Sequence, residues 1–119
     1  MLTRNKKISK QVFGEIIKSG RNFHSPNFSL RLLKTRTGHK LSFVVSKKVS
    51  PTAVKRNLLK RRGYSWAKKI FSKIDKSFAG VVFLRPGAAK LDFQTMEKEL
   101  ELLFVSAGLV SSRLKNPLK

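Results

Sequence analysis

The sequence predicts an α+β fold, a single domain in which helices pack on a small β-sheet. Three segments carry apolar residues at helical spacing, at residues 10–19, 51–72 and 93–107. Strand-like segments lie between them, at residues 28–34, 40–46 and 78–84. The length suits one domain, residues 1–119, whose polar and basic ends, 1–7 and 111–119, we expect to be flexible.

The first helix is predicted from the residues at its two ends. Ser9 is a typical N-cap, and Gly20 is a typical residue after the last turn. Ile8 is placed to pack against Phe13 across the first turn. After this helix we expect a short extended piece at residues 21–26.

Two alternating segments predict a β-hairpin. In residues 28–34, and again in residues 40–46, apolar side chains occupy every second position. A cluster of turn-forming residues at 35–39 separates the two segments. We therefore expect the two strands to pair with each other in antiparallel orientation.

The second helix is expected over residues 51–72, with Ser50 as its N-cap and Pro51 in its first turn. On a helical wheel its packing stripe consists of Leu59, Gly63, Trp66 and Ile70. A glycine inside a helix costs about 1 kcal/mol relative to alanine. We therefore hypothesise that the Trp66 ring fills the space over Gly63.

The last strand and the last helix follow. Residues 78–84 form a nearly all-apolar run, which predicts a strand that is covered on both faces. Asp92 is expected to cap a helix over residues 93–107, which Gly108 ends. The predicted buried stripe of this helix is Met96, Leu100, Leu103, Phe104 and Ala107.

The net charge of the chain is strongly positive and unevenly distributed. There are 27 Lys and Arg residues against 6 Asp and Glu, a formal net charge of +21. Residues 1–76 hold 21 of the cations and two acids, whereas residues 77–119 hold six cations and four acids. Self-repulsion of this size opposes folding, and a polyanion relieves it. We expect the first two thirds of the chain to bind nucleic acid, with an anionic membrane as a distant second choice.

Several classes of function are excluded by residues that the sequence lacks. There is no cysteine, so disulfides, thiolate metal sites and a cysteine nucleophile are ruled out. No apolar run approaches the roughly 18 residues of a membrane span, and no glycine-rich phosphate loop occurs. His24 and His39 are isolated in turn-like segments. We therefore expect a cytoplasmic protein with no catalytic residue, no metal site, no membrane contact and no small-molecule substrate.

Residues 55–62 form a basic segment inside the second helix, Lys-Arg-Asn-Leu-Leu-Lys-Arg-Arg. On the helical wheel one solvent-facing edge carries Arg56, Asn57, Lys60 and Tyr64. Such a set suits phosphate contact by the cations, hydrogen bonding by the amide and stacking by the phenol. Lys47 and Lys48, at the end of the preceding strand, add charge near the helix N-terminus, which itself favours phosphate.

The same residues carry a family resemblance. Val44-Val-Ser-Lys-Lys-Val49 is followed, five residues later, by Val54-Lys-Arg-Asn-Leu-Leu-Lys-Arg-Arg62. With Phe13 and Gly20 in the first helix and Arg85-Pro86 after the last strand, the chain resembles the protein component of bacterial ribonuclease P over about residues 4–110. The resemblance implies an αβββαβα sandwich with a left-handed βαβ crossover, the ribosomal protein S5 domain 2-like fold.

The resemblance also implies a function and two sets of site residues. It implies a subunit of an endoribonuclease in which the partner, ribonuclease P RNA, carries the chemistry with Mg²⁺, bound mainly by that RNA. The protein would bind this RNA and the 5′ leader of precursor tRNA. The resemblance implies Lys47, Lys48, Arg56, Asn57, Lys60 and Arg61 as RNA-binding residues, and the basic segment and the helical wheel add Lys55, Arg62 and Tyr64. The implied leader cleft, between the first helix and the sheet, contains Phe13, Ile17 and Arg31.

The sequence departs from the family pattern at several of these positions. Leu58 stands where the family usually has a second Arg, and Ile17 and Arg31 stand where cleft aromatics are common. Leader binding is therefore expected to depend less on stacking and more on charge. The main alternative is a ribosomal or general structured-RNA-binding protein. A DNA-binding regulator that uses residues 51–72 as a recognition helix is disfavoured, because no helix precedes them in a helix-turn-helix arrangement.

Overall fold

The computed structural model describes residue 8 and residues 10–35, 39–74 and 77–109. Its elements are α1 (Lys10–Ser19), β1 (Arg21–His24), β2 (Phe28–Lys34), β3 (His39–Val44), α2 (Ala53–Phe71), β4 (Phe78–Leu84), a 3-10 helix (Pro86–Lys90) and α3 (Phe93–Ser106). The predicted element order is confirmed, and the expected extended piece is β1. Ser9 and the two expected tails lie outside the described residues.

The sheet has the strand order β1-β2-β4-β3. β2 pairs antiparallel with β1 and with β4, whereas β3 pairs parallel with β4, from His39 opposite Phe78 to Val44 opposite Phe83. The predicted hairpin is therefore wrong: β4 lies between β2 and β3. The all-apolar β4 takes an inner position because its side chains need cover on both faces. The left-handed sense of the β3-α2-β4 crossover stays a prediction.

Helices cover both faces of the sheet. On one face α1 packs its buried Ile16 against Ala79 and Val81 of β4. On the other face α2 and α3 enclose the larger core, into which Phe78 and Val82 of β4 project. The predicted alternation is confirmed, since residues of β2 and β3 and the residue directly after β3 are buried in this larger core: Phe28, Leu30, Leu32, Leu41, Phe43 and Val45.

Gly63 allows α2 to pack closely on β3, and the side chain over Gly63 is not that of Trp66. A Cβ atom on Gly63 would lie 2.7 Å from Cδ2 of Phe43. The Trp66 ring instead packs edge to face on Phe104 of α3, with 4.8 Å between ring centroids. The hypothesis that Trp66 fills the space over Gly63 is therefore wrong, because the Phe43 ring of β3 occupies that space.

The helix ends follow the expected capping chemistry with one correction. Thr52, not Ser50, is the N-cap of α2, and its hydroxyl accepts a hydrogen bond from the Lys55 backbone N–H. Asp92 caps α3 as predicted, accepting from the Thr95 N–H at 2.8 Å. Gly108 ends that helix in the left-handed region, with φ of 79°, which glycine adopts without strain.

Candidate nucleic-acid interface

Basic residues lie at one end of the sheet because β3 and β4 pair in parallel. Val44 lies opposite Phe83, so the chain after β3 and the chain after β4 leave the same end of the sheet. Lys47 and Lys48 follow the first of these strands, and Arg85 follows the second. The N-terminus of α2 begins soon after the two lysines, so its partial positive charge adds to the local potential.

A short turn presents the two lysines to solvent. The backbone N–H of Val49 donates to the carbonyl of Ser46 at 3.0 Å, and Lys47 and Lys48 are both exposed. Arg56 lies on the inner side of this turn, where its Nη1 donates to the Ser50 carbonyl at 2.9 Å. Arg56, itself a predicted RNA contact, thus holds the turn that exposes Lys47 and Lys48.

The outer face of α2 keeps several of the predicted contacts accessible. The predicted packing stripe is confirmed as buried: Leu59, Gly63, Trp66 and Ile70. Asn57 and Arg61 lie away from this stripe and are exposed, while the side chains of Lys55 and Lys60 are half-buried. These residues form a solvent-facing set of hydrogen-bond donors next to the turn that carries Lys47 and Lys48.

Tyr64 makes contacts inside the protein. Its hydroxyl accepts a hydrogen bond from the backbone N–H of Phe43 at 3.2 Å, and its ring packs edge to face on Phe43 at 5.1 Å. Phe43 belongs to β3, which is an edge strand of the sheet in the part of the chain that the structure describes. Tyr64 therefore covers the edge of the sheet, a role that the helical wheel did not reveal.

Arg62 is a half-buried residue of α2. Hydrogen bonds from Thr95 hold the pKa of Asp92 below its ordinary value, and the positive charge of Arg62 acts in the same direction. Arg62 is also less exposed than Asn57 and Arg61 on the same helix.

The predicted cleft residues lie on the α1 face of the sheet. Phe13 and Phe83 are half-buried, and their rings meet edge to face at 6.4 Å. Ile17 is 42% exposed. Arg31 points along β2 to the carboxyl end of α1, where its Nη2 donates to the Ile17 carbonyl at 2.7 Å. Its guanidinium therefore neutralises the negative end of a helix dipole.

A polar cluster extends this cleft, and sequence reasoning did not find it. The Nδ1 atom of His24 lies 3.2 Å from Oγ of Ser29 and 3.3 Å from Nη2 of Arg85. Ser29 pairs with Phe83 across the sheet, so the cluster adjoins the aromatic pair. The sequence suggested that His24 is isolated, but in the structure it contacts Ser29 and Arg85. The period-two pattern of β2 could have placed Ser29 on this face, but no sequence signal brings Arg85 to His24.

Comparison with known proteins identifies the family of the chain. The family described as Ribonuclease P matches residues 2–108. The chain belongs to the ribonuclease P protein family. A ribonuclease P protein component of Microcystis aeruginosa is 27% identical, over 85% of this chain and 88% of that protein. The Prochlorococcus marinus component is 30% identical, over 82% of this chain and 88% of that protein.

The fold agrees with solved ribonuclease P proteins. A Staphylococcus aureus ribonuclease P protein, a mutant with defective mRNA degradation activity, superposes with a TM-score of 0.82 at 25% identity. That match covers 89% of this chain and 91% of the Staphylococcus chain. The predicted αβββαβα class is confirmed, and the chain is a ribonuclease P protein subunit that acts in tRNA processing alongside ribonuclease P RNA. Among the helices the structure describes, none is long and apolar enough to cross a membrane.

Proposed function

We propose that this subunit binds the 5′ leader of precursor tRNA while it is docked on ribonuclease P RNA, and thereby assists Mg²⁺-dependent removal of the leader. The observation that supports the proposal is the adjacency of two surfaces at one end of the sheet. Solvent-facing cations follow β3 and line α2, and an aromatic cleft with a polar cluster lies at the end of β4.

The first surface suits a folded RNA. Lys47, Lys48 and Arg61 are exposed, and Asn57 adds an amide on the same helix. Cations of this kind bind phosphate oxygens and release counterions, which gives affinity without reading a sequence. We assign this surface to the catalytic RNA.

The second surface suits a single strand. Phe13 and Phe83 offer partly exposed rings, and Arg85 offers an exposed guanidinium beside them. Stacking on rings together with phosphate contact is how single strands are held without sequence preference. Arg31 is held by backbone carbonyls of α1 and Ile17 is aliphatic, so this cleft has fewer rings than the family pattern and depends more on charge.

The proposal assigns Mg²⁺ to the RNA. The protein contributes cations that reduce repulsion between the two RNA molecules, so less Mg²⁺ is needed for their association. Among the described residues, no group of three or more His, Asp or Glu side chains is placed to hold a metal ion.

The test is cleavage of precursor tRNA by a bacterial ribonuclease P RNA at low Mg²⁺, with and without the protein, using substrates with long, short and absent leaders. We expect the protein to stimulate cleavage and to raise affinity only for the substrates that carry a leader. Equal tightening of binding to leaderless tRNA and to unrelated structured RNAs would instead support the alternative, a general structured-RNA-binding protein.

A further inference from the structure

Glu99 of α3 makes a set of hydrogen bonds that its position in the sequence does not suggest. Its Oε2 accepts from Oγ of Ser25 at 2.6 Å and from the backbone N–H of Asn27 at 2.7 Å. Its Oε1 accepts from Nδ2 of Asn27 at 2.8 Å. The donors belong to the turn between β1 and β2, more than 70 residues earlier in the chain. One half-buried carboxylate thus holds this turn at two residues.

The same turn is attached to the chain that leaves β4. The carbonyl of Asn27 accepts a hydrogen bond from the backbone N–H of Arg85 at 2.9 Å. The side-chain Oδ1 of Asn27 lies so close to Gly87 that a Cβ atom there would collide with it. Asn27 therefore fixes the backbone of Arg85, and the Arg85 guanidinium in turn reaches His24 at 3.3 Å.

The partners of the negatively charged Glu99 are neutral groups, although the chain is rich in cations. In a chain with a net charge of +21, a carboxylate has many cations available. Its neighbour Glu97 pairs with Lys69 at 3.2 Å, but no described Lys or Arg forms an ion pair with Glu99. Its partners are neutral donors, and charge-assisted hydrogen bonds of this kind are among the stronger ones in proteins. The close partners of Glu99 are thus the polar groups of the turn and not a described cation.

We propose that Glu99 is a positioning residue for the leader: through Asn27 it sets the place of Arg85 at the mouth of the cleft. The inference rests on the proposed function, because it assumes that the leader passes Phe13, Phe83 and Arg85. It assigns to α3, in the nearly neutral third of the chain, a specific part in RNA binding.

The test compares Glu99→Gln with Glu97→Gln in the reconstituted holoenzyme. Both variants remove one negative charge from the same helix, but only the first loses acceptors for the turn, because one carboxylate oxygen becomes an NH₂ donor facing other donors. We expect Glu99→Gln to weaken binding of precursor tRNA with a leader by about threefold to tenfold, the range of one or two lost hydrogen bonds. Binding of leaderless tRNA and of the catalytic RNA should stay unchanged, as should all three affinities for Glu97→Gln.

A double-mutant cycle with Arg85→Ala separates positioning from a general loss of structure. If Glu99 acts through Arg85, Glu99→Gln will have little further effect on leader binding once Arg85 is alanine. Fully additive effects, or equal weakening for leaderless tRNA, would overturn the inference. Should Glu99→Gln fail to fold, Ser25→Ala, which removes only one of the three hydrogen bonds, takes its place. We expect it to weaken binding of precursor tRNA with a leader relative to the wild type and to leave leaderless tRNA unaffected, and unchanged binding of the leader would overturn the inference.

The wild-type protein distinguishes this inference from the proposed function. If the wild-type holoenzyme shows no preference for a leader, both are wrong. If the wild type prefers the leader and Glu99→Gln retains that preference in full, the proposed function stands and only the role of Glu99 is rejected.

Discussion

Several polar side chains that the sequence offers as RNA contacts are bound to backbone groups in the fold. Arg56 donates to the Ser50 carbonyl, Arg31 donates to carbonyls at the end of α1, and Tyr64 accepts from the Phe43 N–H. Backbone groups at loop, helix and sheet ends need partners, and long polar side chains supply them. A residue in such a place stabilises the interface before it contacts any ligand.

Tyr64→Phe tests this view at a single residue. The variant keeps the ring packing on Phe43 and removes only the hydroxyl that accepts the Phe43 N–H. We expect the free energy of unfolding to fall by about 1 kcal/mol, measured by chemical denaturation. The affinity for ribonuclease P RNA and its salt dependence should not change. Weaker RNA binding at unchanged stability would show that Tyr64 contacts RNA directly.

At the scale of elements, the close approach of α2 to β3 sets where the basic helix lies relative to the sheet. Gly63 faces Phe43, and Tyr64 reaches the strand edge from the next position. The two contacts come from adjacent residues, so the rotation of α2 about its own axis is restricted. That rotation keeps Asn57 and Arg61 on the outside, next to the turn that carries Lys47 and Lys48.

Two glycine-to-alanine variants measure this approach. Gly63→Ala should lower the stability by about 1–2 kcal/mol, because overpacking against Phe43 exceeds the gain in helix propensity. Gly14→Ala is the matched control: Gly14 lies in α1 with no atom near the added methyl, so the variant should gain about 0.5–1 kcal/mol. Thermal and denaturant unfolding report both values. A stabilised Gly63→Ala would mean that the helix and the strand are not in close contact.

At the scale of the whole molecule, the fold determines where the unevenly distributed cations lie on the surface. The cations of residues 1–76 come from elements on both faces of the sheet, and the parallel pairing of β3 and β4 places Lys47 and Lys48 at the same end of the sheet as Arg85. The acids of α3 are used elsewhere, as Glu97 on Lys69 and Glu99 on the β1–β2 turn. Neither of these two carboxylates forms an ion pair with Lys47, Lys48 or Arg61.

The salt dependence of RNA binding tests whether one surface of the protein binds the RNA. Lys60→Ala should weaken binding to ribonuclease P RNA and flatten the plot of log affinity against log salt by about one unit, as expected for one lost phosphate contact. Lys98→Ala, which removes an exposed cation of α3, should leave both the affinity and the slope nearly unchanged. Equal effects of the two variants would show that the RNA responds to net charge and not to one surface.

Local features of this protein could be predicted because they depend on residues near one another in sequence. The span of α1, the buried alternation of β2 and β3, the Asp92 cap and the packing stripe of α2 all follow from short-range periodicity and capping. The Lys-Lys and Arg-Asn segments likewise identified the basic surface and the family.

Only the tertiary structure decided which of these elements meet. Periodicity shows which face of a strand is buried but not its neighbour, so the position of β4 between β2 and β3 was missed. The contacts of Glu99 with Asn27 and of Arg85 with His24 join residues 72 and 61 positions apart, and no local pattern encodes them. The sequence alone determined that this protein is a strongly basic RNA binder. The position of its cations beside a cleft depends on contacts between residues far apart in the sequence, such as the pairing of β3 with β4, because only the packing of the whole chain brings those residues together.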